Sequence, residues 1–338
     1  MILELLLLIV GFFLLVFGSD KFVDSGSRIA KKLGVSDFMI GLTLIAVGTS
    51  LPELASSIAA ALKGSSGLIV GNLVGSNIAN IGLVVGICAL IAKIKTHETM
   101  LKRDGYIMIF VSVILALLAI NGVVNYVEGL ILVIIYFIYV LFLIETKEGM
   151  KKKFHFKEFM MYGLRFGFVK TLLKFHNNGS KKHVNTDGLV KEFVISAISL
   201  AALIYGAKLL VNNSLYFSKI LGISETFIGL TLVAVGTSLP ELAVSLNAVR
   251  KGFSEILIGN IIGSNIVNIS LIFGISSFIA PVKISIQSIY YLIPAMLFFS
   301  GLFLVFIKKE WKINRNQGIT LLVLYALFIL FAGLKGIF

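Results

Sequence analysis

The chain has 338 residues, of which 58% are hydrophobic and only 14% charged, with a net charge of +13. A soluble domain carries nearer a quarter charged residues, and several apolar runs here reach about 20 residues, the length of a membrane-crossing helix. Composition therefore excludes a soluble globule and predicts an all-α polytopic membrane protein. The positive charge lies in the connections between apolar runs, so it points to topology and anionic headgroups and not to nucleic acid.

The first run, Ile2 to Phe17, has no basic leader and no small-residue cleavage pattern, and it carries Glu4. It reads as a retained first span and not as a signal peptide. Ten spans are predicted, near 2–18, 38–61, 67–92, 105–121, 126–145, 193–212, 226–249, 255–279, 288–307 and 317–335. The second, third, seventh and eighth are rich in Gly, Ser, Thr, Asn and Pro; the others are plain Leu/Ile/Val/Phe helices. Cys88 is the only cysteine and falls inside an apolar run, as a core thiol would. The four histidines have no metal-ligand spacing, and three of them fall in the central loop.

That loop, 147–191, separates an N-terminal unit (1–146) from a C-terminal unit (192–338). It holds eleven Lys/Arg against three acids, Glu148, Glu158 and Asp187. Its segment Phe154 to Phe175 mixes Phe, Met and Leu with Lys and Arg. Two readings stay open: an amphipathic helix lying on anionic lipid headgroups, or a solvated linker. Placing this loop in the cytoplasm puts most other loop Lys and Arg there too. The positive-inside rule then sets both termini outside.

The second span contains Gly41-Leu-Thr-Leu-Ile-Ala-Val-Gly-Thr-Ser-Leu-Pro-Glu-Leu-Ala55. It returns in the seventh as Gly229-Leu-Thr-Leu-Val-Ala-Val-Gly-Thr-Ser-Leu-Pro-Glu-Leu-Ala243, 188 positions on. The third span's Gly71-Asn-Leu-Val-Gly-Ser-Asn-Ile-Ala-Asn80 returns as Gly259-Asn-Ile-Ile-Gly-Ser-Asn-Ile-Val-Asn268. Similarity at the same offset begins earlier, with Gly18, Val23, Lys31, Leu33, Gly34 and Ser36 matching Gly206, Val211, Lys219, Leu221, Gly222 and Ser224. Each half thus holds five spans. An odd number makes the second half enter from the opposite side, which predicts two inverted five-helix repeats, an architecture of secondary transporters.

A carboxylate in lipid is costly, so the duplicated Glu53 and Glu241 call for a function. Pro52 and Pro240 lack an N–H and clash with the carbonyl four residues back, so each should break its helix and free backbone oxygens. Thr49 and Glu53 share a helix face, as do Thr237 and Glu241. Asn72, Ser76 and Asn80 form one stripe on the adjoining span, and Asn260, Ser264 and Asn268 another. The set is all oxygen, suited to Ca²⁺ or Na⁺. Two carboxylates with no Lys or Arg in these four spans balance one divalent cation. Singly, a Ser or Thr in such a helix bonds its own backbone and a lone Asn joins two helices; the duplication of the whole set is what singles out an ion site. Asp20 and Lys208 occupy equivalent positions near opposite faces, where snorkelling suits both.

The duplicated GTSLPE and GNxxGSN blocks resemble the α-1 (41–81) and α-2 (229–269) repeats of the sodium/calcium exchanger family, within the calcium/cation antiporter superfamily. The resemblance covers essentially the whole chain. It implies a prokaryotic-type exchanger in a prokaryotic cell membrane, with no regulatory domain and no cofactor, and with Ca²⁺ and Na⁺ as its transported partners. By position it implies Glu53 and Glu241 as Ca²⁺ ligands, with hydroxyl and backbone oxygens from Thr49 and Thr237. Flanking Na⁺ sites would use Ser50, Ser76, Ser238 and Ser264 with the Ala46 and Ala234 carbonyls, and Asn80 and Asn268 would face the middle of the cluster. It further implies alternating access, with the first and sixth helices sliding on the rest. Many relatives resemble this chain but carry an aspartate at the position of Asn268, which puts potassium dependence in doubt here. Two other readings differ in coupling or class: a H⁺/Ca²⁺ or other divalent antiporter, and a passive cation channel. A membrane enzyme is disfavoured, since the motif spans offer Glu53 and Glu241 no His or Lys partner.

Overall fold

The computed structural model describes residues 2–32, 46–148, 155–177 and 188–334. The predicted positions Leu33, Gly34, Ser36 and Gly41–Ile45, Lys335 and the loop segments 149–154 and 178–187 lie outside the described residues. The described residues are mostly helical: α1 (Ile2–Lys32), α2 (Leu51–Leu62), α3 (Ser66–Ile91), α4 (Met100–Asn121), α5 (Tyr126–Glu148), α6 (Phe156–Leu164), α7 (Gly167–Asn177), α8 (Leu189–Leu221), α9 (Glu225–Thr237), α10 (Leu239–Arg250), α11 (Ser254–Ile279), α12 (Ser288–Trp311) and α13 (Arg315–Leu334). Among the described residues eight helices are long and apolar enough to cross a bilayer, and the bent pair α9–α10 makes a ninth. The predicted span 38–61 is described only from Ala46 onward, as a helical turn at Ala46–Gly48 followed by α2.

Two helices run well past their predicted ends. α1 has 31 residues and α8 has 33. Hydrophobicity marks where a helix meets lipid, but hydrogen bonding carries it on into the polar segments beyond. The two pack side by side: a Cβ added to Gly206 would lie 2.7 Å from the Gly11 carbonyl, so only glycine lets the backbones approach this closely. At one end Arg28 of α1 donates to Glu192 of α8 at 2.7 Å.

The inner layer is α3 and α11, mostly buried. Each passes through a π-helical stretch, Asn80–Val85 in α3 and Val267–Ile272 in α11. α3 packs on α9, where a Cβ on Gly71 would sit 2.2 Å from the Thr226 carbonyl. Contacts cross between the halves in exchanged pairs. α13 meets α3 at Gly318 and Gly86, and α5 meets α11 at Gly129 and Gly274.

Short strands close the rims. β1 (Ile94–Lys95) pairs antiparallel with β4 (Lys312–Ile313), and β2 (Val123–Val124) pairs with β3 (Val282–Lys283). The Lys95 N–H donates to Ser254 Oγ and the Lys283 N–H to Ser66 Oγ, each at 3.0 Å. Lys95 and Lys283 stand 188 positions apart, as do Ser66 and Ser254, so these two bonds are related by the offset of the sequence repeat.

In the central loop, residues 156–177 fold as two short helices, α6 and α7, where the sequence suggested one segment over 154–175. Phe159 is buried between Phe110 of α4 and Phe142 of α5, at 6.3 and 5.5 Å between ring centroids. Thr171 donates to Glu145, and Tyr162 shares a hydrogen bond with Thr171. The His155 N–H donates to Glu158 at the start of α6, which holds that carboxyl below its usual range. Cys88 is buried and unpaired.

Candidate ion site

Each proline sits where its missing N–H costs nothing. Pro52 and Pro240 lie in the first turn of α2 and α10, and the chain breaks just before, at Thr49–Ser50 and at Ser238. α9 and α10 meet at 42° across that break. The Gly48 carbonyl, freed by Pro52, is satisfied by Ser19 Oγ of α1 at 3.0 Å. One of the backbone oxygens the proline was expected to free is thus taken by a hydroxyl from a neighbouring helix. α1 covers both breaks, with Val23 against Gly48 and Phe12 against Gly236.

Glu53 and Glu241 enter from α2 and α10 and are fully buried. Their hydrogen bonds cross between the halves. Ser238 donates to Glu53 Oε1 at 3.4 Å, and Ser50 donates to Glu241 Oε1 at 3.3 Å. Ser264 of α11 adds a second donor to Glu241 at 3.3 Å and lies 3.4 Å from Thr49 Oγ1. Ser76 of α3 reaches the Ala234 carbonyl at 3.4 Å. Ala46 opens the helical turn that precedes the first break.

Asn72 and Asn260 brace the breaks. Thr237 Oγ1 donates to Asn72 Oδ1 at 3.2 Å, while Asn72 Nδ2 donates to Ser56 and Ser57 of α2. Thr49 Oγ1 donates to Asn260 Oδ1 at 3.3 Å, and Asn260 Nδ2 donates to Ser245 of α10. Their amide oxygens already hold a partner, and the three serines beneath them escaped the sequence reading.

Among the described residues, four buried oxygens of the duplicated motifs accept no hydrogen bond: Glu53 Oε2, Glu241 Oε2, Asn80 Oδ1 and Asn268 Oδ1. A buried polar atom without a partner is costly, so an unpartnered oxygen on each of these four duplicated residues singles them out as candidate ligands. They comprise two carboxylates and two neutral carbonyls, one of each kind from each half. That is hard-cation chemistry. Asn80 Nδ2 donates to Asn265 Oδ1 at 3.0 Å and Asn268 Nδ2 to Asn77 Oδ1 at 3.2 Å; Asn77 and Asn265 were missed because they fall off the 72/76/80 and 260/264/268 stripes. Their signal was present in the duplicated Gly-Ser-Asn triplet.

Comparison with known proteins shows the family. The sodium/calcium exchanger protein family matches residues 3–145 and 191–334. The sodium/calcium exchanger MaX1 of Methanosarcina acetivorans is 44% identical across 96% of this chain and 97% of its own length. The inner membrane protein YrbG of Escherichia coli is 33% identical over 84% of the chain and 82% of its own length. Among solved structures, the sodium-calcium exchanger NCX_Mj soaked with Na⁺ and Sr²⁺ is 33% identical, with a TM-score of 0.60 over 97% of this chain and 98% of that one. With both halves matched by the family and MaX1 aligned over nearly its whole length, this membrane protein belongs to the sodium/calcium exchanger family.

Proposed function

We propose that the chain is a secondary active antiporter that exchanges Na⁺ for Ca²⁺, with Ca²⁺ bound between Glu53 and Glu241. The observation that carries the reading is the set of four unpartnered buried oxygens, two of them charged. A divalent ion neutralises both carboxylates, and Na⁺ ions can do so in its place. Ser50, Ser76, Ser238 and Ser264, with the Ala46 and Ala234 carbonyls, flank the centre as Na⁺ ligands. Thr49 and Thr237 sit at the breaks, where hydroxyl and backbone oxygens are both at hand, and Asn72 and Asn260 hold those hydroxyls in place. Competition for one site is the simplest physical basis of exchange.

The exchanged strand pairs and crossed helix contacts support two inverted five-helix repeats, 1–146 and 192–338, joined by the cytoplasmic loop 147–191, with both termini outside. α1 and α8 pack on each other, and α1 lies across both breaks. Sliding this pair would uncover the site to one side and then to the other. The basic loop would rest on anionic headgroups.

The test is Ca²⁺ uptake into proteoliposomes with Na⁺, K⁺ and H⁺ gradients imposed separately. Uptake driven by the Na⁺ gradient alone supports the reading. Uptake driven by a pH gradient without Na⁺ replaces it with proton exchange, and uptake that needs no counter-ion replaces it with a channel.

A further inference from the structure

A carboxamide is nearly symmetric in shape and opposite in charge at its two ends. Turned one way it offers a cation an oxygen; turned the other way it offers two N–H donors. A site with two asparagine ligands therefore has to fix which end faces the ion. Carboxylate ligands have no such requirement, because their two oxygens are equivalent.

The fixing groups are Asn77 and Asn265, three residues before Asn80 and Asn268 and related by the same offset of 188. Asn77 Nδ2 faces the Asn265 backbone carbonyl at 3.5 Å and the Met296 sulfur at 3.6 Å. Asn265 Nδ2 faces the Asn77 carbonyl at 3.3 Å and the Met108 sulfur at 3.7 Å. A carbonyl and a thioether can only accept, so each amide must turn its nitrogen toward them. This forces Asn77 Oδ1 toward Asn268 and Asn265 Oδ1 toward Asn80. Asn268 Nδ2 then donates to Asn77 at 3.2 Å, and Asn80 Nδ2 donates to Asn265 at 3.0 Å. The remaining end of each, Oδ1 of Asn80 and of Asn268, is buried and accepts nothing. All four side chains are at most 1% exposed, so no water competes for the choice.

We propose that Asn77 and Asn265 are positioning residues that lock the Asn268 and Asn80 carboxamides with their oxygens toward the ion, each half orienting the other half's neutral ligand. The proposal rests on the reading of Asn80 and Asn268 as ion ligands. It also explains how a site built on two carboxylates uses Asn268 as an oxygen donor.

The test is a set of equilibrium ⁴⁵Ca²⁺ binding measurements on the full chain in detergent. The variants are Asn77→Leu, Asn268→Asp, Asn268→Leu and Asn77→Leu/Asn268→Asp, with the mirror set at Asn265 and Asn80. Leucine keeps the shape of asparagine and removes its polarity. Expected is a loss of about tenfold or more for Asn77→Leu with Asn268 in place, in line with losing an oriented polar contact of about 1.4 kcal/mol. With aspartate at 268 the same substitution should cost less than about threefold, because either oxygen then serves. An equal loss in both backgrounds would mean a merely structural role and would overturn the proposal, as would no loss in the first. If Asn268→Leu leaves affinity unchanged, the ligand reading itself fails, which is a separate result. Should Asn77→Leu not fold, Asn265→Leu with and without Asn80→Asp decides by the same comparison.

Discussion

Replacing Glu53 with glutamine removes one of two buried negative charges and changes neither size nor shape. Unit charges about 4 Å apart attract by about 4 kcal/mol at an effective dielectric of about 20, and a divalent ion doubles that to about 8. Roughly half is offset, because the variant no longer has to keep a carboxylate out of water. About 4 kcal/mol remains, which is close to a thousandfold in Ca²⁺ affinity. Glu241→Gln should cost the same within about threefold, since the two residues hold equivalent places with hydroxyl donors from the opposite half. Equilibrium ⁴⁵Ca²⁺ binding in detergent reads both directly. A loss under tenfold in either variant would refute the reasoning, and so would a large loss in one with none in the other.

Removing the cross-half donors should be milder. Ser50→Ala and Ser238→Ala should each lower apparent Na⁺ affinity by about three- to tenfold in Na⁺-dependent Ca²⁺ uptake, the scale of one ordinary hydrogen bond, since both bonds are long at 3.3 and 3.4 Å. Gly71→Ala would put a methyl 2.2 Å from the Thr226 carbonyl and push α3 off α9. A loss of about 1–3 kcal/mol in thermal or denaturant stability is expected, with unchanged stability contradicting the packing. Phe159→Ala removes the ring that docks α6 between α4 and α5, at a cost of about 3–5 kcal/mol to that docking. Limited proteolysis within 147–191 should accelerate while Ca²⁺ affinity stays as it was.

Much of the site could be read from the sequence because duplication singles it out. An isolated glutamate beside a proline has several explanations. Glu53 and Glu241 in matching apolar segments, each followed by Asn and Ser on one stripe, leave few. What could not be read were contacts that depend on which surface meets which. Asn77 lies beside the stripe holding Asn80, and only the opposite half reveals that it faces Asn268. Pro52 was expected to free a backbone oxygen, but the partner that the Gly48 carbonyl finds, Ser19, is 29 residues away on another helix. Nothing local marks Ser56, Ser57 and Ser245 as braces for Asn72 and Asn260. Hydropathy located the spans but not the ends of α1 and α8, since backbone hydrogen bonding carries a helix past its apolar run. The paired strands were invisible because two-residue strands have no pattern of their own.

The central claim is that one divalent ion sits between the two halves, held by both glutamates. Crystals soaked in Sr²⁺ and measured for anomalous scattering test it most directly. The account predicts one strong peak within about 2.3–2.6 Å of carboxylate oxygens from both Glu53 and Glu241, the range for calcium-like ions, and its loss when Na⁺ replaces Sr²⁺. A peak bound by only one glutamate, or a peak elsewhere in the chain with none at this place, would contradict it.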